Sequence, residues 1–281
     1  MSRRRGKVKN QQFINKIVLG DSMSLLKKLE ADSVDLVITS PPYFGCRQYG
    51  NETIGREDNP MTYVDAFLQF TPLIRRALSP SGSFYLNIGD IYFGTKGFSR
   101  NTGKYSRATD THYKEHKICK QDGKVLQYKQ LLMLPSRVAI GMQEQGWILR
   151  NDIIWHKPNA IPSFSKDRRL PRYEHIFHFV KSPKYFFDYE KAKTMGFHGD
   201  VFNQNVKPFK KHKASFPVEM IEKLILTTSK EGDVVLDPFM GSGTTAEATA
   251  KHNRHYIGFE INPEYVAISR KRVRQQVGWE A

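Results

Sequence analysis

Short apolar runs rich in β-branched residues recur along this chain, separated by stretches with helical spacing. Lys16-Ile17-Val18-Leu19-Gly20-Asp21 predicts a strand that ends in a Gly-Asp turn. Met23 to Leu29 places Leu25, Leu26 and Leu29 on one helical face. Val34-Asp35-Leu36-Val37-Ile38 predicts a buried strand that stops at Thr39-Ser40-Pro41-Pro42-Tyr43, because two prolines lack N–H donors and cannot continue a central ladder. Strand, helix, strand is the unit that builds a parallel sheet. The pattern continues with a helix over Tyr63 to Leu78, closed by Ser79-Pro80-Ser81-Gly82, and a strand over Ser83 to Ile88 that ends in Gly89-Asp90. A helix over Leu131 to Gln145 follows. Strands over Trp147 to Trp155 and Glu174 to Val180 are able to pair as a hairpin-like antiparallel edge. The last third reads helix (Val218 to Leu226), strand (Val234 to Leu236), helix (from Thr244) and strand (His255 to Phe259). The fold class is α/β.

Several stretches fall outside this pattern. Residues 44–61 are polar and glycine-containing and read as a loop that orders on ligand binding. Thr95 to Val125 has almost no large aliphatic residues and cannot build a core of its own. It interleaves Lys96, Arg100, Lys104, Arg107 and four more lysines with Phe98, Tyr105, His112 and Tyr113, the mixture that phosphates and bases require. A loop over 159–172 carries Arg168, Arg169 and Arg172, and a second basic stretch runs from Lys207 to Lys213. Charge turns these loops into an argument about partners. Over 281 residues, 44 Lys and Arg stand against 28 Asp and Glu, a net charge of +16 that points to a polyanion, most simply nucleic acid. The basic start, Arg3 to Lys9, is either a solvated tail or an arm that touches the same partner.

The two cysteines, Cys46 and Cys119, have neither ligand nor disulfide-framework spacing, which suits a reducing cytosol, and no metal site is expected. No apolar signal core follows the basic start, and no apolar run approaches the ~18 residues of a membrane span.

Candidate chemistry sits at two strand ends. The first is Ser40-Pro41-Pro42-Tyr43, a stiff turn with a hydroxyl at one end and an aromatic ring at the other. The second is Val234-Val235-Leu236-Asp237-Pro238-Phe239-Met240-Gly241-Ser242-Gly243-Thr244-Thr245, where a buried strand ends in a carboxylate and a Gly-x-Gly turn opens a helix. It lacks the lysine of a P-loop and the third glycine of a dinucleotide fingerprint. The next strand ends in Glu260, a carboxylate placed to accept hydrogen bonds from a ribose diol. The implied cofactor has a ribose and no pyrophosphate at this turn.

Asp237 to Thr245 closely resembles the S-adenosyl-L-methionine motif of the DNA amino-methyltransferases, and Ser40 to Tyr43 resembles their catalytic motif. The catalytic motif comes first, which resembles the beta-group order. The likeness runs from Lys16 to about Arg274 and includes Asn87-Ile88-Gly89-Asp90, Ile154-Trp155-His156-Lys157-Pro158 and His212-Lys213-Ala214-Ser215-Phe216-Pro217. It implies a Rossmann-like, seven-stranded, mostly parallel sheet with flanking helices. One catalytic domain would span 1–281, with a catalytic motif at 34–43, a cofactor motif at 234–245 and DNA-recognition insertions at 95–125, 159–172 and 196–211. The Ser40 and Asp237 strands would lie side by side at its centre. Asp237, Phe239, Gly241, Gly243, Thr244 and Glu260 would hold the cofactor, joined by Asp21, with His212, Phe216 and Pro217 closing its methionine side.

The resemblance implies methyl transfer to an exocyclic amine of a base flipped out of duplex DNA. Ser40 Oγ and the Pro41 carbonyl would accept hydrogen bonds from that amine, held by the rigidity of Pro42, and Tyr43 would stack on the base. Asp90 would take up the released proton or serve only as a turn or helix-cap carboxylate. Ser-Pro-Pro-Tyr goes mainly with cytosine N4 in this family, Asp- or Asn-Pro-Pro-Tyr with adenine N6. Carbon-5 methylation needs a cysteine nucleophile in a Pro-Cys turn, and neither cysteine follows a proline. Arg47, Lys104, Arg107, Lys157, Arg168, Arg169 and Arg172 are the candidate DNA contacts, to guanine edges or to phosphates. A homodimer and a separately acting restriction endonuclease are further partners that the resemblance allows. A catalytically silent nucleic-acid binder, and an RNA or protein methyltransferase, are the rival readings.

Overall fold

Strand order, not strand count, positions everything that matters in this molecule. A computed structural model of the chain describes residues 9–45, 54–55, 57, 59–93, 118–121, 124–127, 129–160, 165–206 and 217–277. Its main sheet has eight strands among these residues. They are β1 (Lys16–Leu19), β2 (Val34–Thr39), β3 (Leu78–Ile88), β6 (Ile148–His156), β7 (Tyr173–Val180), β8 (Val201–Asn203), β9 (Val234–Asp237) and β10 (His255–Glu260). A separate two-stranded hairpin, β4 (Ile118–Gln121) and β5 (Lys124–Gln127), closes the end of the expected insertion 95–125. Across the main sheet the order is β1-β10-β9-β2-β3-β7-β6-β8. From β1 to β3 all neighbours are parallel, β7 is antiparallel to both β3 and β6, and β8 is parallel to β6.

The β9–β2 pair, with Val37 opposite Leu236, is where the chain order reverses, and this brings the two sequence motifs together. Strands here are buried on both faces, as a helix-covered parallel sheet requires. On β2, Val34 and Val37 belong to the core on one face and Leu36 and Ile38 to the core on the other. Helices over Ser22–Leu26, Pro60–Leu68, Thr71–Ala77 and Leu134–Glu144 contribute to the first core, and the helix over Val218–Thr228 to the second.

Three features differ from the sequence reading. The sheet has eight strands instead of seven, because Val201–Asn203, inside the expected insertion 196–211, adds to the outer edge of β6. Ile154 N donates to Asp200 O at 2.7 Å and Trp155 Nε1 to Gln204 O at 2.9 Å, so this segment satisfies an otherwise open edge. The β6–β7 pair is antiparallel as expected, but β7 lies inside the sheet between β3 and β6. The helix expected over Tyr63 to Leu78 is two helices, Pro60–Leu68 and Thr71–Ala77. Pro72 has no N–H to offer the Leu68 carbonyl. That carbonyl instead accepts from Thr71 Oγ1 at 3.0 Å and Gln145 Nε2 at 2.9 Å.

The strand after this pair begins at Leu78, with a register shift against β2 that absorbs Ser79 to Gly82. No helix among the described residues is long and apolar enough to cross a membrane.

Candidate active site

The C-terminal ends of β1, β10, β9, β2 and β3 gather Asp21, Glu260, Asp237, Ser40 and Asp90 along one rim of the sheet. The concavities lined by Ser229, Lys251 and Arg254, and by Asp32, Arg76 and Lys181, lie at the opposite end of the strands and are remote from both motifs.

Asp237 is buried, and both its oxygens are used internally. Oδ1 accepts from Thr39 Oγ1 at 2.6 Å and Phe239 N at 3.0 Å, and Oδ2 accepts from Thr245 Oγ1 at 2.7 Å. It therefore ties the catalytic strand to both ends of the glycine turn. Burial pushes its pKa up to about 6, against the pull of these three donors. Glu260 is also buried, at 7% exposure. Its Oε2 accepts from Gly241 N at 2.7 Å and its Oε1 from Asn262 N at 2.8 Å. Burial raises its pKa while these backbone donors oppose the rise. Each oxygen keeps acceptor capacity for a hydroxyl.

The glycine turn is shaped by its own packing. Gly241 and Gly243 have φ of +54° and +87°, in the left-handed region. A Cβ on Gly243 would lie 2.6 Å from Ser269 Cβ on the helix Pro263–Val277, so this glycine lets the turn approach that helix. Arg272, on the same helix, donates to Thr244 Oγ1 at 2.9 Å and pairs with Glu247. Thr244 is thus held from behind. Phe239 is half-buried against Phe70, with ring centroids 5.2 Å apart. Asp21 caps the helix Ser22–Leu26 by accepting from Ser24 N at 2.8 Å, beside Glu260, whose carbonyl accepts from Gly20 N at 2.9 Å. Pro217 is buried at the start of the helix Val218–Thr228.

At the catalytic turn, Ser40 Oγ donates to Tyr43 Oη at 3.2 Å. Tyr43 Oη in turn lies 3.0 Å from Asn87 Oδ1 and 2.9 Å from Glu174 Oε2. The Pro42 carbonyl accepts from Tyr63 Oη at 3.1 Å, which braces the turn from below. The Tyr43 ring rests on Gly89, where an added Cβ would come within 2.8 Å of Cε2. Burial, then the Glu174 carboxylate, hold the Tyr43 phenol well above its ordinary pKa.

Asp90 follows β3 and accepts from Ile91 N at 2.9 Å and Leu134 N at 3.1 Å, so it caps the helix Leu134–Glu144. Burial of the carboxyl raises its pKa, and these backbone donors pull it back. Of the two roles the sequence left open for Asp90, the cap is the one with visible partners.

The sequence missed Glu174, Asn87 and Thr39 as parts of the site. Glu174 is the second residue of the antiparallel strand Tyr173–Val180, so its position depends on a strand reversal that no local motif marks. Lys157, expected on DNA, pairs with Glu174 and sits over the Trp155 ring at 4.2 Å. Its side chain is only 15% exposed, packed between these two neighbours. Arg168 lies over the Tyr92 ring at 4.1 Å, Arg172 donates to Pro158 O at 3.3 Å, and Arg169 is exposed. Arg47, Lys104, Arg107, His212 and Phe216 lie outside the described residues. No cluster of His, Cys, Asp or Glu among the described residues has the arrangement of a metal site.

A doubly wound sheet, a glycine turn backed by an acidic strand end and a Ser-Pro-Pro-Tyr turn beside it define a class-I-like transferase that uses a nucleoside cofactor. The family model of the N6/N4 "DNA methylase" family matches residues 34–271, and the chain belongs to that family, the DNA amino-methyltransferases. It is 39% identical over 266 residues to the type II methyltransferase M.Cfr9I of Citrobacter freundii, covering 91% of this chain and 86% of that protein. It is 36% identical over 268 residues to M.SmaI of Serratia marcescens, covering 92% and 90%. Among solved structures it resembles the PvuII DNA methyltransferase (cytosine-N4-specific), with a TM-score of 0.70 and 26% identity over 91% of this chain and 85% of that one. It also resembles a Thermus thermophilus protein assigned as a DNA modification methylase and solved with S-adenosyl-L-methionine, with a TM-score of 0.65 and 26% identity over 93% and 94%. S-adenosyl-L-methionine is the cofactor. The site fits it, since Glu260 offers a buried carboxylate for a ribose diol and the exposed Ile261 beside it offers an apolar face for a purine.

Proposed function

We propose that this DNA amino-methyltransferase modifies the N4 amine of a cytosine flipped out of duplex DNA, as the modification half of a restriction–modification pair. The observation that carries the reading is the 3.2 Å contact between Ser40 Oγ and Tyr43 Oη. With the phenol hydrogen drawn to the Asn87 and Glu174 oxygens, Ser40 is the donor in that contact, which leaves its oxygen as an acceptor at the mouth of the turn. An exocyclic amine is a poor nucleophile because its lone pair is delocalised into the ring. Hydrogen bonds accepted from it by Ser40 Oγ and the Pro41 carbonyl pull the nitrogen toward a tetrahedral geometry and localise that lone pair. S-adenosyl-L-methionine supplies an electrophilic methyl group on its sulfonium. The braced Pro41-Pro42 turn fixes the distance and angle of approach, on which such transfer depends.

Tyr43, with one side of its ring against Gly89, stacks on the base. Asp90, at the end of the neighbouring strand and already capping a helix, is the carboxylate assigned to receive the released proton. Asp21, Phe239, Gly241, Gly243, Thr244, Glu260 and Ile261 hold the cofactor, with Asp237 acting behind them. His212, Phe216 and Pro217 close its methionine side. Arg169, with Arg168 and Arg172, meets the DNA together with the 95–125 segment. The cytosine-N4 specificity of the PvuII enzyme supports cytosine, and so does Ser40 in place of Asp or Asn. The family also includes adenine-N6 enzymes, which makes adenine the second reading.

The test is transfer of labelled methyl groups from S-adenosyl-L-methionine into duplex DNA by the wild type and by Ser40→Ala. The variant should lose most turnover and keep its cofactor affinity. Loss of both together would remove Ser40 from the amine, and no incorporation by a cofactor-binding wild type would leave a silent DNA binder.

A further inference from the structure

Glu174 and Lys157 belong to neither motif, yet they end the chain of hydrogen bonds that starts at Ser40. β7 is the strand that runs against the direction of its neighbours, so it delivers its first residues to the rim where the parallel strands deliver their last. Asn87 Nδ2 donates to His175 O at 2.9 Å, which turns Asn87 Oδ1 toward Tyr43. The phenol therefore faces two acceptors, Asn87 Oδ1 at 3.0 Å and Glu174 Oε2 at 2.9 Å. It has one hydrogen, and it must spend it on this side. What it offers Ser40 is an oxygen lone pair. The 3.2 Å contact between them can be a hydrogen bond only with Ser40 as the donor.

We infer that Glu174, anchored by Lys157, is a positioning residue that acts through Tyr43 to point the Ser40 hydrogen away from the substrate, so that Ser40 Oγ accepts from the target amine. The inference rests on the assignment of Ser40 to that amine. Its charge makes Glu174 suited to the end of such a chain, because an ionised carboxylate accepts and does not donate. Lys157 anchors it: the ammonium pairs with Oε1, and the carboxylate side chain is only 19% exposed. A glutamine at position 174 would weaken the rule. Its amide could turn its NH2 toward the phenol, which leaves Asn87 Oδ1 alone to hold the phenol hydrogen away from Ser40. Each time that single bond breaks, the phenol hydrogen can turn to Ser40, and Ser40 then presents a hydrogen to an amine that also carries hydrogens.

The test is a double-mutant cycle on methyl transfer, with cofactor affinity as the check on folding. Tyr43→Phe keeps the ring and removes the relay, and it should lower kcat about tenfold with little change in KM for DNA. Glu174→Gln should lower kcat in the same direction by less, about threefold, because Asn87 Oδ1 still accepts from the phenol. In a Ser40→Ala background neither change has a hydrogen to direct, so each should cost less than about twofold. A purely structural role would instead multiply with Ser40→Ala. Multiplicative losses, or a Tyr43→Phe enzyme with wild-type kcat, overturn the inference. If Glu174→Gln does not bind cofactor, the Tyr43→Phe cycle alone decides. Full turnover by Ser40→Ala itself is a separate outcome, and it defeats the assignment of Ser40 on which the inference stands.

Discussion

Thr39 Oγ1 donates to Asp237 Oδ1 across 2.6 Å and joins two motifs 198 residues apart. Backbone pairing between β2 and β9 sets the strands side by side, and this bond fixes their ends. Thr39→Val keeps the shape and leaves a buried acceptor short of one donor. It should cost about 1–3 kcal/mol in urea unfolding. An unchanged midpoint would mean that the bond contributes nothing to the frame of the site.

Asp237 gives stability a pH dependence with a definite sign. Its folded pKa is about 6, above the ordinary 3.8 of an unfolded aspartate. Between those values the folded protein binds more protons than the unfolded one, so this group's contribution falls as pH rises through about 4 to 6 and is level above. The total is at most on the order of 3 kcal/mol. Asp237→Asn should remove this slope, read as the difference between the two proteins' stabilities across the window. A difference that stays constant from pH 4 to 6 would contradict it.

Two glycines separate backbone strain from crowding. Gly232 and Gly243 have nearly the same φ, +83° and +87°. Nothing lies within 4 Å of a Cβ on Gly232, while Ser269 lies 2.6 Å from one on Gly243. Gly232→Ala should cost about 1–2 kcal/mol, the left-handed penalty alone. Gly243→Ala should cost about 1–3 kcal/mol more and weaken cofactor binding. Equal costs would show that the turn does not depend on its approach to the helix behind it.

Much of this was legible in the sequence. The two motifs carry their own context, a buried run before and a turn or helix after, so Ser40, Asp237, Gly241, Gly243 and Glu260 could be placed on strand ends by pattern alone. Their place at the centre of the sheet came from the family likeness that the motifs carry. What local pattern could not carry was the partner across the sheet. Glu174 lies 131 positions from Tyr43 and reads in sequence as the polar first residue of a strand. Lys157 reads as one more basic residue in a basic chain, and only its pairing with Glu174 separates it from the arginines proposed for DNA. The eighth strand was hidden for a related reason: Val201–Asn203 is too short to show a period, and it is a strand because β6 has an edge to cover.

Salt dependence should sort the basic residues. Arg169 is exposed, and Arg169→Gln should lower the magnitude of the salt slope of DNA binding by about 1, as expected for one lost phosphate contact. Lys157→Gln should leave the slope nearly unchanged and lower turnover, because its charge is spent on Glu174 and Trp155. A smaller slope for Lys157→Gln with normal turnover would return that residue to the DNA.

The central claim is that a serine at the head of the turn, held as an acceptor, presents cytosine N4 for methylation. Mass spectrometry of nucleosides from duplex DNA methylated by the enzyme tests it most directly. N4-methylcytosine is the predicted product, and N6-methyladenine in its place would contradict the account.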